Sequence, residues 1–205
     1  MANFYGRPII NAVSWQQAGS YVDFCIYFAI TDVDFLIICI LLTYYKGIWY
    51  EQAKYPNEIE KFGKCGWAEY IPEGEGVKVK NGHIIQNKEY LIEGSARPAG
   101  AKNVGKILHK LTYGGVTREN LLNILATDNK NFYIGYFCKY DEEKKGHQDF
   151  AWVLTKSKTL DGEVKTAIDN YLQGSTVIDN SKLQYNDFSD DACTIKNKLV
   201  IMDYL

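Results

Sequence analysis

The stretch GIWYEQAKYP at residues 47–56, followed by KFGKCGWAEY at residues 61–70, decides the fold of this chain. A glycine stands before Trp49, which opens a predicted strand, and a second predicted strand covers residues 65–70. Aromatic and β-branched residues are enriched in strands. The stretch therefore predicts the start of a β domain, and the rest of the chain continues its pattern.

Six further β-like runs follow, separated by turn residues. Clusters of Gly, Pro, Asn and Asp interrupt the runs, and these residues favour turns. Together with the two strands above, the runs make eight, which indicates an antiparallel barrel or sandwich. The six runs are residues 77–80, 84–96, 106–113, 121–127, 132–140 and 149–155.

One segment changes to helical periodicity. Between residues 160 and 173, apolar side chains recur at spacings of three and four, with Gly174 just beyond. This pattern predicts an amphipathic helix. A single helix after all the strands favours a helix packed on a finished barrel over a parallel βαβ sheet.

Composition restricts the classes of function. The chain has 205 residues, 46% of them hydrophobic and 14% aromatic, and a formal net charge of -2. This length and composition suit one globular domain. The small charge argues against nucleic acid or an anionic membrane as partner. The apolar run at residues 35–42 is too short for a membrane-spanning helix, which needs about 20 residues.

The cysteines and histidines indicate disulfides rather than a metal site. None of the five cysteines lies in a CxxC motif or at zinc spacing from a histidine. Disulfides in a secreted, extracellular protein explain them better, although residues 1–45 lack a clear secretory signal. His109 and His147 are expected at the surface. Because no catalytic set stands out, we expect neither an enzyme nor a metal protein.

Long stretches of the chain resemble the insect bilin-binding lipocalins. The resemblance rests on WYEQAKYPNEIEKFGKCGWAEY at residues 49–70, HKLTYGGVTRENLLNILATDNKN at 109–131 and GYFCKYDEEKKGHQDFAWVL at 135–154. It implies an all-β, eight-stranded antiparallel up-and-down lipocalin barrel with one C-terminal α-helix packed on it. It also implies that the cavity binds biliverdin, a linear tetrapyrrole, without a covalent bond, for pigment transport and coloration.

The same resemblance implies a closed barrel end built on Gly47 and Trp49. The family usually places an arginine across this tryptophan, and here Lys156 takes its place. A lysine retains the cation–π contact but lacks the planar guanidinium, so we expect a weaker closure.

Alternation along the strands and the family's pocket positions together give the candidate ligand-binding residues. Tyr133, Phe137 and Trp152 are expected to point inward because alternate strand residues face a barrel interior. Aromatic and aliphatic walls suit conjugated rings, and a few amide or hydroxyl groups suit pyrrole N–H groups and lactam oxygens. The remaining candidates are Asn81, His83, Tyr90, Ile92, Leu111, Tyr113, Val116, Arg118, Asn120, Gln148 and Phe150.

The resemblance also implies two disulfides and the domain limits. Cys65 pairs with Cys193, and Cys138 pairs with an N-terminal cysteine, for which Cys25 is favoured over Cys39. The lipocalin domain covers residues 47–197, followed by a C-terminal tail at 198–205. Residues 1–46 do not match the family's N-terminal coil, and we expect this atypical segment to be poorly specified.

Three alternatives stay open at this point. The same cup suits a retinoid, carotenoid, fatty acid or pheromone. An enzyme would need a thiol in the cavity, but Cys138 has the opposite parity to Phe137. A homo-oligomer would form through the odd cysteine or through residues 35–42.

Overall fold

A computed structural model of the chain describes residues 45–73, 76–99 and 105–201, with the backbone alone at 197–201. The N-terminal segment at 1–44, with Cys25, Cys39 and the apolar run at 35–42, lies outside the described residues, as do residues 202–205. No helix among the described residues is long and apolar enough to cross a membrane.

Eight antiparallel strands close into an up-and-down barrel, as the sequence predicts. Each strand pairs with its neighbours in chain order, β8 returns to pair with β1, and β4 pairs with β5. The strands are β1 (Gly47–Lys54), β2 (Lys64–Glu73), β3 (Gly76–Ile85), β4 (Lys88–Pro98), β5 (Lys106–Tyr113), β6 (Val116–Thr127), β7 (Phe132–Asp141) and β8 (Gly146–Thr155).

Antiparallel order gives the barrel two distinct ends. Trp49 lies at the end where β1 begins, here called the tryptophan end. The connections β1–β2, β3–β4, β5–β6 and β7–β8 lie at the opposite end, here called the loop end. The longest of these four connections covers residues 55–63.

The turn between β3 and β4 is not where the sequence predicts it. The predicted break after residue 80 is wrong, because β3 continues to Ile85 and the chain turns at Gln86 and Asn87, which have φ of 50° and 61°. The Asn81-Gly82 pair is a common hairpin-turn sequence. It stays extended here because both residues pair with β2 on one side and β4 on the other, and the glycine leaves room for the Trp67 ring that lies over it.

A bulge in β1 decides which side chains face the interior. The register against β8 shifts between Glu51 and Ala53. Strict alternation would keep Glu51 and Ala53 on one side, but the extra residue turns Ala53 outward and brings Lys54 to the cavity. Gln52 at the bulge is held by its amide, which donates to Thr155 Oγ1 at 2.8 Å.

The described hydrophobic residues form a cluster inside the barrel, a second outside it, and a smaller third one around the disulfide of Cys65. Trp49, Tyr70 and Tyr133 belong to the inner cluster. The helix α1 (Gly162–Gly174) buries Ile168 and Leu172 in the outer cluster, where Ala151 and Val153 of β8 also lie. The prediction of one helix that follows the strands and packs on the barrel is confirmed.

Two short strands after the helix add to the sheet, and the sequence predicts neither. β9 (Gln184–Tyr185) pairs with the last residues of β1. β10 (Asn197–Ile201) runs parallel to β4 and extends beyond the expected domain limit at residue 197. It pairs with residues 88–91, which is the part of β4 that β5 leaves unpaired.

Candidate functional site

The barrel encloses a cavity lined by the inward faces of its strands and by the β1–β2 connection. Ten of the fourteen candidate residues line it, so the structure brings most of the predicted set together. These ten are Asn81, His83, Ile92, Leu111, Tyr113, Asn120, Tyr133, Phe137, Phe150 and Trp152.

Four candidates lie elsewhere. Tyr90 stacks on His83 with ring centroids 5.9 Å apart, outside the lining, and Gln148 is half-buried outside it. Val116 is 49% exposed, because it begins β6 beside the loop-end turn. Arg118 folds back, with its guanidinium 4.1 Å from the Tyr113 ring centroid and donating to the Tyr113 carbonyl at 3.0 Å.

One wall of the cavity is a stack of aromatic rings from β7 and β8. Phe137 and Phe150 are cross-strand partners with ring centroids 4.5 Å apart and 15° between their planes. Trp152 continues the stack at 5.6 Å from Phe137. The three rings form a continuous aromatic wall, which suits a conjugated ligand.

A buried charged cluster that the sequence does not predict lies at the loop end. Lys54 Nζ lies 2.8 Å from Glu51 Oε1 and 3.6 Å from Glu60 Oε2. Glu60 also accepts from the Asn57 amide at 2.8 Å and from Trp152 Nε1 at 3.2 Å. The cluster therefore fastens the β1–β2 connection to the barrel wall. It could not be found from strand alternation, because the bulge at Gln52 reverses the parity.

The pKa values of the two carboxyl groups in this cluster are shifted in opposite directions. Burial raises the pKa of Glu51 to about 7, and the negative charge of Glu60 adds to the effect. Burial also disfavours ionised Glu60, but the Lys54 ammonium and the Asn57 amide outweigh it and hold the pKa below its ordinary value. Burial of Lys54 is outweighed in the same way by both carboxylates, so its pKa is raised. Lys54 is therefore charged, and the carboxylates beside it balance its charge.

Two histidines are buried in the cavity wall. His83 is 3% exposed, at the loop end of β3, and His109 is 9% exposed, three residues into β5 from the tryptophan end. The expectation that His109 lies at the surface is wrong. It is two residues before Leu111 on the same strand and shares its inward face, so alternation was the signal that could have found it. His147 is exposed, as expected.

Both buried imidazoles are kept neutral by the apolar barrel. Burial lowers the pKa of His109 to about 4. Burial also lowers the pKa of His83, although the nearby Glu60 carboxylate opposes the shift. Neither Nε2 atom has a hydrogen-bond partner among the described residues. Deeper still, the hydroxyls of Tyr70 and Tyr133 satisfy each other at 2.8 Å.

The tryptophan end is closed by the residues that the sequence indicates. Trp49 is fully buried, and its Nε1 donates to the Tyr45 carbonyl at 2.7 Å. Lys156 Nζ lies 4.1 Å from the Trp49 ring centroid and donates to the Lys46 carbonyl at 2.6 Å. Burial, with the like charge of Lys46, lowers the pKa of Lys156 to about 8. Gly47 has φ of 85°, a conformation that favours glycine.

Two of the three described cysteines form a disulfide, and the third is exposed. Cys65 and Cys193 form a disulfide, the pairing that the resemblance implies. Cys138 is exposed on the outer face and bonds to no described cysteine, and its expected partner Cys25 lies outside the described residues. No group of His, Cys, Asp and Glu suited to a metal ion occurs in the described part of the chain.

Comparisons with known proteins agree with this geometry. Residues 46–190 match the model of the Lipocalin / cytosolic fatty-acid binding protein family. The chain is 65% identical over 153 residues to the bilin-binding protein of Pieris brassicae, covering 75% of this chain and 81% of that one. It is 39% identical to insecticyanin-B of Manduca sexta, covering 74% and 76%.

Solved structures give the same result at the level of the fold. The structure of insecticyanin from Manduca sexta superposes with a TM-score of 0.72 at 36% identity, covering 78% of this chain and 87% of that one. Lobster apocrustacyanin A1 superposes with a TM-score of 0.59 at 20% identity, covering 74% and 81%, and supports the fold alone.

Proposed function

Because this chain belongs to the Lipocalin / cytosolic fatty-acid binding protein family, we propose that it is a carrier of biliverdin, a linear tetrapyrrole, held without a covalent bond in the barrel cavity. Its role would be pigment transport and coloration. The observation that carries the proposal is the aromatic wall of Phe137, Phe150 and Trp152 on β7 and β8, with the polar side chains of Asn81 and His83 on β3 across the barrel. A tetrapyrrole has conjugated rings for the aromatic wall and N–H and lactam groups for the polar side chains.

Attachment would be non-covalent because no described cysteine lines the cavity. Cys138 faces outward, opposite in parity to Phe137. For the same reason the proposal is a carrier and not an enzyme that uses a cavity thiol. Unfolding the complex in guanidinium chloride followed by ultrafiltration would recover the pigment in the filtrate, whereas pigment retained on the chain would contradict non-covalent binding.

The experiment that tests the proposed function is a titration of the purified chain with biliverdin, followed by visible circular dichroism. A chiral cavity that fits the pigment would give a saturable one-to-one induced band. Retinol would serve as the competitor that separates a bilin carrier from a carrier of another apolar ligand. A folded barrel that gives no induced band but binds retinol would reject biliverdin as the ligand.

A variant pair localises the binding to the aromatic wall. Phe137→Ala removes a stacked ring and should weaken biliverdin binding roughly tenfold, since aromatic contacts contribute about 1 kcal/mol beyond the area that they bury. Tyr185→Ala truncates a ring that is 65% exposed on β9 and should leave the affinity unchanged. Equal affinities of the two variants would place the pigment elsewhere.

We also propose that the protein acts outside the cell. The disulfide between Cys65 and Cys193 supports this, because such bonds persist in oxidising compartments. Alkylation of protein taken from its natural source, before unfolding and reduction, would leave both cysteines unmodified. Alkylation of both would contradict an extracellular site.

A further inference from the structure

Lys54 Nζ of the cavity wall lies in ion pairs, but two further buried nitrogens of that wall have neither an ion pair nor a hydrogen bond among the described residues. They are the Nε2 atoms of His83 and His109. Both side chains are more than nine-tenths buried, and both line the cavity. Buried polar groups are nearly always hydrogen-bonded, so such orphans point to a missing partner.

The two atoms lie at different depths of the barrel. His83 is near the loop end of β3, where its ring packs close to Gly63 of the β1–β2 connection. His109 lies toward the tryptophan end of β5, with its ring centroid 6.2 Å from that of Tyr70. A ligand that satisfies both must therefore carry hydrogen-bonding groups at two places along its length.

We propose that His109, acting with His83, sets the ligand specificity of the cavity by requiring hydrogen-bonding groups deep in the barrel and thereby rejecting hydrocarbon ligands. This inference rests on the proposed function and deepens it. A neutral imidazole Nε2 accepts from a pyrrole N–H or donates to a lactam oxygen, depending on its tautomer. The polyene or alkyl chain of a retinoid or fatty acid does neither and leaves the buried nitrogen desolvated without compensation.

The other buried polar side chains of the lining do not fill this role, because they are already paired, and Asn81 and Asn120 are only half-buried. Lys54 is neutralised by Glu51 and Glu60, and the Tyr70 and Tyr133 hydroxyls bond to each other. Burial lowers the pKa of both histidines, so the imidazoles are neutral at pH 7. The discrimination is then one of hydrogen bonding rather than of ligand charge.

The test compares two probes, biliverdin and all-trans retinol, on three histidine variants. His109→Leu should lower the preference for biliverdin over retinol at least about fivefold. The variant loses a buried hydrogen bond to biliverdin, and it no longer leaves a buried nitrogen unpaired when retinol binds. His109→Gln retains a polar group at this depth and should keep most of the preference. His147→Leu changes an exposed histidine and should match the unmodified chain.

The ratio of the two affinities separates specificity from a structural effect. A purely structural role of His109 would make His109→Leu weaken both ligands by the same factor, which would overturn the inference. Should His109→Leu not fold, His83→Leu on another strand gives the same readout with the same expected direction. If the unmodified chain does not bind biliverdin, the proposed function fails, while a gain of retinol affinity in His109→Leu would still support the rejection of hydrocarbons.

Discussion

Single side chains inside this barrel have consequences for stability that can be measured without any ligand. His109 is the clearest case, because its folded pKa of about 4 is well below the ordinary 6.5. Between these two pH values the unfolded chain binds a proton that the folded chain does not. The contribution of His109 to the free energy of unfolding therefore falls as the pH drops from 6.5 toward 4, whereas Glu51, with its raised pKa of about 7, contributes in the opposite direction, so the comparison with a His109 variant isolates the effect.

The predicted size of the His109 effect is about 3 kcal/mol across that interval, from roughly 1.36 kcal/mol per pKa unit. Urea unfolding at several pH values between 7 and 4 measures it. His109→Leu removes the titrating group, so its stability should decrease less over the same interval. Parallel pH profiles of the two proteins would show that His109 is solvated in the folded state.

Gly94 in β4 makes a second prediction at this scale. A Cβ built there would overlap the carbonyl oxygen of Lys110 on the neighbouring strand, so the sheet tolerates only a hydrogen. Gly94→Ala should destabilise the barrel by about 1–3 kcal/mol, the usual range for overpacking. Gly174→Ala is the matched control, since nothing lies within 4 Å of its Cβ position. Equal unfolding midpoints of the two variants would contradict this account.

At the scale of elements, α1 stabilises the barrel from outside and does not contribute to the cavity. Ile168 is 1% exposed and packs in the outer cluster with Ala151 and Val153. Ile168→Ala should cost about 2–5 kcal/mol of unfolding free energy. Under conditions in which the variant is fully folded, its affinity for biliverdin should be unchanged, because no residue of α1 lines the cavity. Thr166→Ala, at an exposed site on the same helix, is the control, and a variant that loses affinity without losing stability would contradict this separation.

The sequence predicts elements well where alternation is uninterrupted. β5 was predicted at its observed limits, and β7 and β8 supplied Phe137, Phe150 and Trp152 on one face. Alternation fails where local structure depends on distant packing. The bulge at Gln52 and the extended Asn81-Gly82 pair both depend on contacts with other strands.

Contacts between distant segments also limit how much of the cavity lining the sequence predicts. The aromatic wall follows from parity, but the cluster of Glu51, Lys54 and Glu60 requires a bulge and a folded-back loop that no periodicity reveals. β10 was not predicted because its position depends on an edge of β4 that only the closed barrel exposes. Alternation along β5 places His109 on the inward face, but polar residues usually face solvent, which is why the sequence favours a surface position for it.

At the scale of the whole molecule, the disulfide joins the start of the barrel to the segment after the helix. Cys65 and Cys193 are separated by 128 residues, so the bond closes most of the described chain into a loop. Loops of this size stabilise by about 4–5 kcal/mol in the chain-entropy model. The double variant Cys65→Ser, Cys193→Ser should lose a stability of this order in urea unfolding.

Ile195→Ser is the control for the disulfide, because Ile195 is 49% exposed two residues from Cys193 and its replacement leaves every cysteine in place. A loss below about 1 kcal/mol in the double variant would show that the closed loop contributes little. The folded double variant should still bind biliverdin, since neither cysteine lines the cavity.

The central claim is that the cavity holds biliverdin between an aromatic wall and buried imidazoles. A crystal structure of the chain with biliverdin tests it most directly. The account predicts the tetrapyrrole against Phe137 and Trp152, with polar groups of the pigment within hydrogen-bond distance of the Nε2 atoms of His83 and His109. Pigment bound outside the barrel, or inside it with both nitrogens still unpartnered, would contradict the account.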